Sequence, residues 1–63
     1  MIPRSLLEKL IEKEVYIYVK HQGREFAGII QSITDDDVVI LLNKYNNLDY
    51  IPISEINIIT ERR

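Results

Sequence analysis

Hydrophobic and polar positions change period twice along this chain. Leu6, Leu7, Leu10 and Ile11 recur at helical spacing, with Glu8, Lys9, Glu12 and Lys13 between and after them. Such a stripe predicts an amphipathic helix over residues 5–13. Ser5 and Glu8 have the spacing of a capping box, and Pro3 lies just upstream, where a missing N–H costs little. The period then drops to two. Val15, Ile17 and Val19 alternate with Tyr16, Tyr18 and Lys20, which predicts a half-buried strand over 15–20. His21, Gln22, Gly23 and Arg24 make a turn, and 25–33 is rich in β-formers, with Gly28 inside it. A glycine within a strand marks a bulge, a bend or a close backbone approach.

Thr34 and the aspartates Asp35, Asp36 and Asp37 predict the next turn. An apolar run over 37–43 follows, with the character of a strand buried on both faces or at an interface. Lys44 to Asn47 is a polar loop. Leu48 to Ile53 is a fourth strand; Pro52 marks an edge, a bulge or the strand's end. The run from Ile56 to Ile59 is a short fifth strand, and 60–63 is a solvated tail. The expectation is one domain over residues 1–63, mostly β, in which a short N-terminal α-helix precedes a five-stranded, strongly bent antiparallel barrel. Its apolar edge candidates are the runs from Val38 to Leu42 and from Ile56 to Ile59, through which copies of the chain pair.

Composition narrows the function. A chain of 63 residues buries too little surface for a strong core and is expected to need a staple. It has no cysteine and one histidine, which excludes disulfides and argues against a thiolate or histidine-cluster metal site. No cofactor and no metal are expected, and self-association remains as the staple. The formal charge of −2 is unlike that of a strongly basic nucleic-acid binder. No apolar run approaches the length of a membrane span, and the start lacks a signal-peptide pattern, so a cytoplasmic protein with no membrane partner is expected. No nucleophile elbow, phosphate-cradling glycine loop or H-E-x-x-H motif is present, and no enzymatic activity is expected.

Two segments resemble a known superfamily. Val15-x-Ile17-x-Val19-Lys20, then Gly23-Arg24-Glu25-Phe26-Ala27-Gly28, Ile30 and the acidic turn before Val39-Ile40-Leu41-Leu42 resemble the first motif of the Sm-like proteins (Sm, LSm and Hfq). Tyr50-Ile51-Pro52-Ile53-Ser54-Glu55-Ile56 is similar to the second motif, nearest its Hfq-type version. The resemblance covers almost the whole chain. It implies an SH3-like bent barrel, a homo-oligomeric ring of six or seven subunits, and single-stranded RNA near the pore. By the same resemblance Asp36 takes the place of the family's acid, Val38 stands near its base-stacking position, Tyr50 lies beside the second motif, and Lys20 and Arg24 meet phosphate. Tyr50, Ile51, Pro52 and Ile53 occupy the places where the family carries its second-motif cation, so none stands there. The alternative reading is a ring-forming structural or protein-interaction module without an RNA site.

Tyr16 and Tyr18 read as cover for barrel edges or subunit contacts, and Tyr45 as a loop residue. Lone His21 reads as exposed. Ser54 and Glu55 read as the tight turn between the last strands, with the serine side chain satisfying backbone amides. Arg62-Arg63 is a basic pair that could guide RNA electrostatically.

Overall fold

Helix α1 (Arg4–Glu8) precedes strands β1 (Glu14–Val19), β2 (Glu25–Ile33), β3 (Val38–Asn43), β4 (Leu48–Pro52) and β5 (Ile56–Glu61), with a 3₁₀ turn, Ile53–Glu55, between the last two. The computed structural model describes residues 2–21, 23 and 25–62. All strand pairs are antiparallel, in one sheet of order β4-β3-β2-β1-β5.

Each strand lies within a residue or two of its sequence pattern, and in β1 the alternation that predicts the strand is the alternation that buries it. β1 buries Val15, Ile17 and Val19, β2 Ile30, β3 Val39 and Leu41, and β4 Ile51. Leu7, Ile53 and Ile56 complete the core. Each such side chain contributes about 1.5–3 kcal/mol when fully buried. β2 is the pivot. Its first half, Glu25 to Ile29, pairs with β1, and its second half, Gly28 to Ile33, pairs with β3. A register shift between Ile30 and Ser32 leaves Gln31 as the extra residue of a bulge, which sharpens local twist. Of the bulge, bend or close approach that a glycine here allows, Gly28 makes a close approach: a Cβ there would lie 2.3 Å from the Leu42 carbonyl oxygen. The molecule measures 26 × 25 × 22 Å, nearly equal in all directions, so the sheet wraps its core rather than lying flat.

Several expectations are corrected. The sheet is open, not a closed barrel: β4 and β5 are its two ends and do not pair. After β4 the 3₁₀ turn carries the chain across to β1, with the Lys20 N–H donating to the Glu55 carbonyl at 2.8 Å, and β5 then pairs with β1. The run from Val38 to Leu42 is not an edge, because β3 is hydrogen-bonded to β2 on one side and β4 on the other. Its apolar character has a different origin, described below. The run from Ile56 to Ile59 is an edge as expected.

The helix is also shorter than 5–13. Pro3 is its N-cap, with no side-chain cap bond, so the Ser5–Glu8 capping box does not form. The Glu8 carboxylate accepts from Arg4 Nε instead, at 3.2 Å. Beyond Lys9 the tighter turn bonds from the Leu10 and Ile11 N–H to the Leu7 and Glu8 carbonyls give way to sheet-like ones. Ile11 bridges to Ile30, the Glu12 N–H donates to the Ile30 carbonyl at 2.7 Å, and Glu12 takes φ 71°. Leu10 and Ile11 still pack on the core, but Leu6 is exposed. At the far end β5 runs to Glu61, so Thr60 and Glu61 belong to the sheet and not to a free tail.

Candidate functional site

Two turns meet at one end of the molecule, and one of them carries Asp36 and leads into Val38. The Ile53 N–H, opening the 3₁₀ turn, donates to the Asp37 carbonyl at 2.9 Å. The turn over 34–37 closes on itself: the Thr34 N–H donates to the Val38 carbonyl, the Val38 N–H donates to Thr34 Oγ1 at 3.1 Å, and Asp37 takes φ 61°. The 3₁₀ turn makes no such use of Ser54, whose hydroxyl forms no cap bond there.

Arg4 fixes this arrangement from α1. Its Nη1 donates to the Asp37 carboxylate and to the Thr34 carbonyl, both at 2.7 Å, and Nη2 donates to the Ile33 carbonyl at 3.3 Å. Hydrogen bonds to Asp37 first and Glu8 second raise the Arg4 pKa above its ordinary value. One of the three aspartates is thereby neutralised. Asp35 and Asp36 are exposed and make no side-chain hydrogen bond or ion pair with another described residue. Asp36 lines a hollow of about 300 Å³ with Arg4, Asp37, Pro52, Ile53 and Ser54 among its walls. Sequence reasoning missed Arg4. Its spacing to Glu8 is a legible helical pair, but its contacts with 33–37 arise only once the chain is folded.

Pro52 lies between that hollow and the next one, where Tyr50 sits with Val19, Phe26 and Glu55 along the open side of β4. Tyr50 is 64% exposed. Val38, half-buried, opens β3 opposite Pro52, on the same outward face as Tyr50. The structure thus brings Val38 and Tyr50 onto one face and sets Asp36 just past Pro52. Lys20 is not with them: it is exposed beyond the end of β1, in a separate hollow with Ile2, Leu6 and Asn57. Arg24, like Gln22 and Arg63, lies outside the described residues.

The remaining cations are mostly committed. Arg62 donates to the Glu14 carboxylate, which raises its pKa, and its N–H donates to the Glu14 carbonyl at 2.9 Å. It staples β5 to the start of β1 and is no free guide for RNA. Lys44 sits over the Tyr45 ring at 5.3 Å. Tyr18 Oη donates to the Glu25 carboxylate at 2.7 Å, which raises the Tyr18 pKa. Among the described residues no group of three His, Asp or Glu side chains is placed to hold a metal ion. Among them also, no helix is long and apolar enough to cross a membrane.

The apolar run of β3 has two faces. Val39 and Leu41 point into the core, while Val38, Ile40 and Leu42 face outward. Across the strand pair they meet Pro52, Tyr50 and Leu48 in turn, and Ile29 of β2 stands beside Leu42. Leu48 is 46% and Ile29 37% exposed. This outward ladder is the largest departure from the polar outer face that a one-sided antiparallel sheet normally carries. No family model and no curated protein matches this sequence.

Proposed function

We propose that this protein is an Sm-like module that joins copies of itself edge to edge into a closed homo-oligomeric ring of about six or seven subunits. The observation that carries this reading is the strand order. Both ends of the sheet, β4 and β5, expose unpaired backbone, and they are different strands with different side chains. A contact between unlike edges is head-to-tail and closes into a ring when its rotation permits. It also supplies the staple that a 63-residue chain without cysteine needs. Light scattering tests it: the expected mass is about six or seven times that of one chain, and a stable monomer at micromolar concentration overturns the reading.

A second reading is single-stranded RNA binding by that ring, as an RNA chaperone or processing scaffold in the cytoplasm. The side-by-side turns favour it, since they put the uncommitted Asp36 beside the outward face of Val38 and Tyr50. In this reading Asp36 accepts hydrogen bonds from a base edge and Val38 and Tyr50 contact base faces, while Lys20, in its separate hollow, meets phosphate only of a strand long enough to run past the end of β1. The acidic turn and the committed Arg4 weigh against tight phosphate binding. Titration of labelled oligo(U) and oligo(A) at two salt concentrations decides. Salt-sensitive binding that falls about tenfold or more with Tyr50→Ala supports it; no binding at tens of micromolar ring sinks it.

A further inference from the structure

We infer, building on the ring reading above, that the 3₁₀ turn between β4 and β5 sets how many subunits the ring holds, and that Arg4 is the residue that latches this turn in place.

In a head-to-tail ring each copy offers its β4 edge to the β5 edge of the next. The angle between those two edges within one chain therefore sets the rotation from subunit to subunit. Six subunits need about 60° and seven about 51°, so a change of about 9° alters the count. Only Ile53, Ser54 and Glu55 stand between the last residue of β4 and the first of β5. Ile53 and Ile56 are buried in the core. The turn is also pinned by its backbone at both ends. At its exit the Glu55 carbonyl accepts from the Lys20 N–H at 2.8 Å, and at its entry the Ile53 N–H donates to the Asp37 carbonyl at 2.9 Å.

The two pins differ in what holds them. Lys20 directly follows β1, a strand paired on both sides. Asp37 stands in an exposed turn, and Arg4 ties that turn down. The guanidinium gathers three acceptors, the Asp37 carboxylate and the Thr34 and Ile33 carbonyls. A planar fork of donors holds such a set in one geometry, as a point charge on a flexible stem does not. Asp37 takes φ 61°, which aspartate, asparagine and glycine tolerate better than other residues. The helix that carries Arg4 is itself seated by Leu7, fully buried in the core. The core thus reaches the entry pin through α1, Arg4 and Asp37. An exposed ion pair adds little to stability, so breaking this latch leaves the fold and loosens the pin.

Native mass spectrometry of the whole chain counts the subunits, with circular dichroism to check folding. The wild type is expected to give one ring size. Arg4→Gln removes the latch; Asp37→Gly removes its carboxylate and accepts the positive φ without strain. Each is expected to spread the population over two or more ring sizes. Asp37→Asn keeps an acceptor for Arg4 and tolerates the same φ, and is expected to keep the single size. That rescue is a readout that a general loss of stability does not produce. One ring size in either folded latch variant, or a spread in Asp37→Asn as well, overturns the inference and leaves the ring reading standing. A wild type that already mixes ring sizes does the same. Folded latch variants that fall to monomers show Arg4 and Asp37 serving the edge contact itself, which also overturns it. A wild type that forms no ring overturns both.

Discussion

Val39 and Leu41 are fully buried, while Val38, Ile40 and Leu42, interleaved with them on the same strand, keep access to solvent. The two faces of β3 are equally apolar, but only the inner one is used by the fold. There Val39 and Leu41 meet Ile17, Ile30, Ile51 and Leu7 in one cluster. On the outer face the same chemistry meets only its cross-strand neighbours on β2 and β4. The contrast separates two faces that a hydropathy pattern merges. Inner residues are apolar because folding buries them; the outer ones are only half-buried, by their neighbours within the sheet.

Truncation breaks the comparison most sharply on the inner side. Leu41→Ala removes a fully buried side chain between β2 and β4 and leaves a cavity. The expected loss is about 2–5 kcal/mol, a large share of the stability of so small a domain. Chemical denaturation of a dilute sample reads it directly. Leu48→Ser, on the outer face, is expected to change monomer stability by no more than about 0.5 kcal/mol. Comparable losses at both positions would mean that the two faces serve the fold alike.

Gly28→Ala tests the place where the two halves of β2 diverge. The new Cβ would stand 2.3 Å from the Leu42 oxygen and 2.9 Å from its carbonyl carbon, both backbone atoms that cannot rotate away. Relief requires β2 and β3 to separate, at an expected cost of about 1–3 kcal/mol despite the gain in apolar surface. Thermal unfolding reads the effect as a lowered midpoint. An unchanged midpoint would show that the sheet tolerates a wider spacing there, and that Gly28 does not fix its curvature.

These positions also show what the sequence made legible. The alternation of β1 placed that strand, because burial on one face imposes period two, and the others were legible as β-former or apolar runs between turn residues. Gly28 was readable as a bulge, a bend or a close approach; which of these it serves, and that the Leu42 backbone is what it approaches, was not. The helix was over-extended because Leu10 and Ile11 have the right spacing for its apolar face. Hydrogen bonds between residues 11–13 and Ile30 take over there, and they join positions far apart in sequence. The sheet edges were half-read for a related reason. Apolar character on both faces of β3 signals neither edge nor centre; only the pairing of β4 beside it decides. At the candidate site Val38, Tyr50 and Asp36 were legible as residues, but Arg4 was not, since its partners lie about thirty residues away.

The smallest expected effect lies on the outer face of β1, where the ladder gives way to a polar lock. The Tyr18 hydroxyl donates to Glu25, directly opposite it on β2, and the neutral phenol is thereby favoured. Its pKa in the folded protein is raised above the ordinary 10.0 by that hydrogen bond first, and by the charge of Glu25 second. The sign follows from linkage: the folded state holds this proton more tightly than the unfolded chain. The associated stability is fully present below the unfolded value near 10 and is lost as pH rises through the folded one. An ultraviolet titration of the tyrosinates should therefore show a late step that Tyr18→Phe removes, and Glu25→Gln should bring that step earlier. The group is solvent-exposed, so the change in unfolding midpoint is expected to be small and confined to alkaline pH. If Tyr18→Phe leaves the late step in place, the lock is absent in solution. The outer face of β1 would then be as uncommitted as that of β3, and the contrast between an apolar outward ladder and a polar, internally satisfied flank would lose its second half.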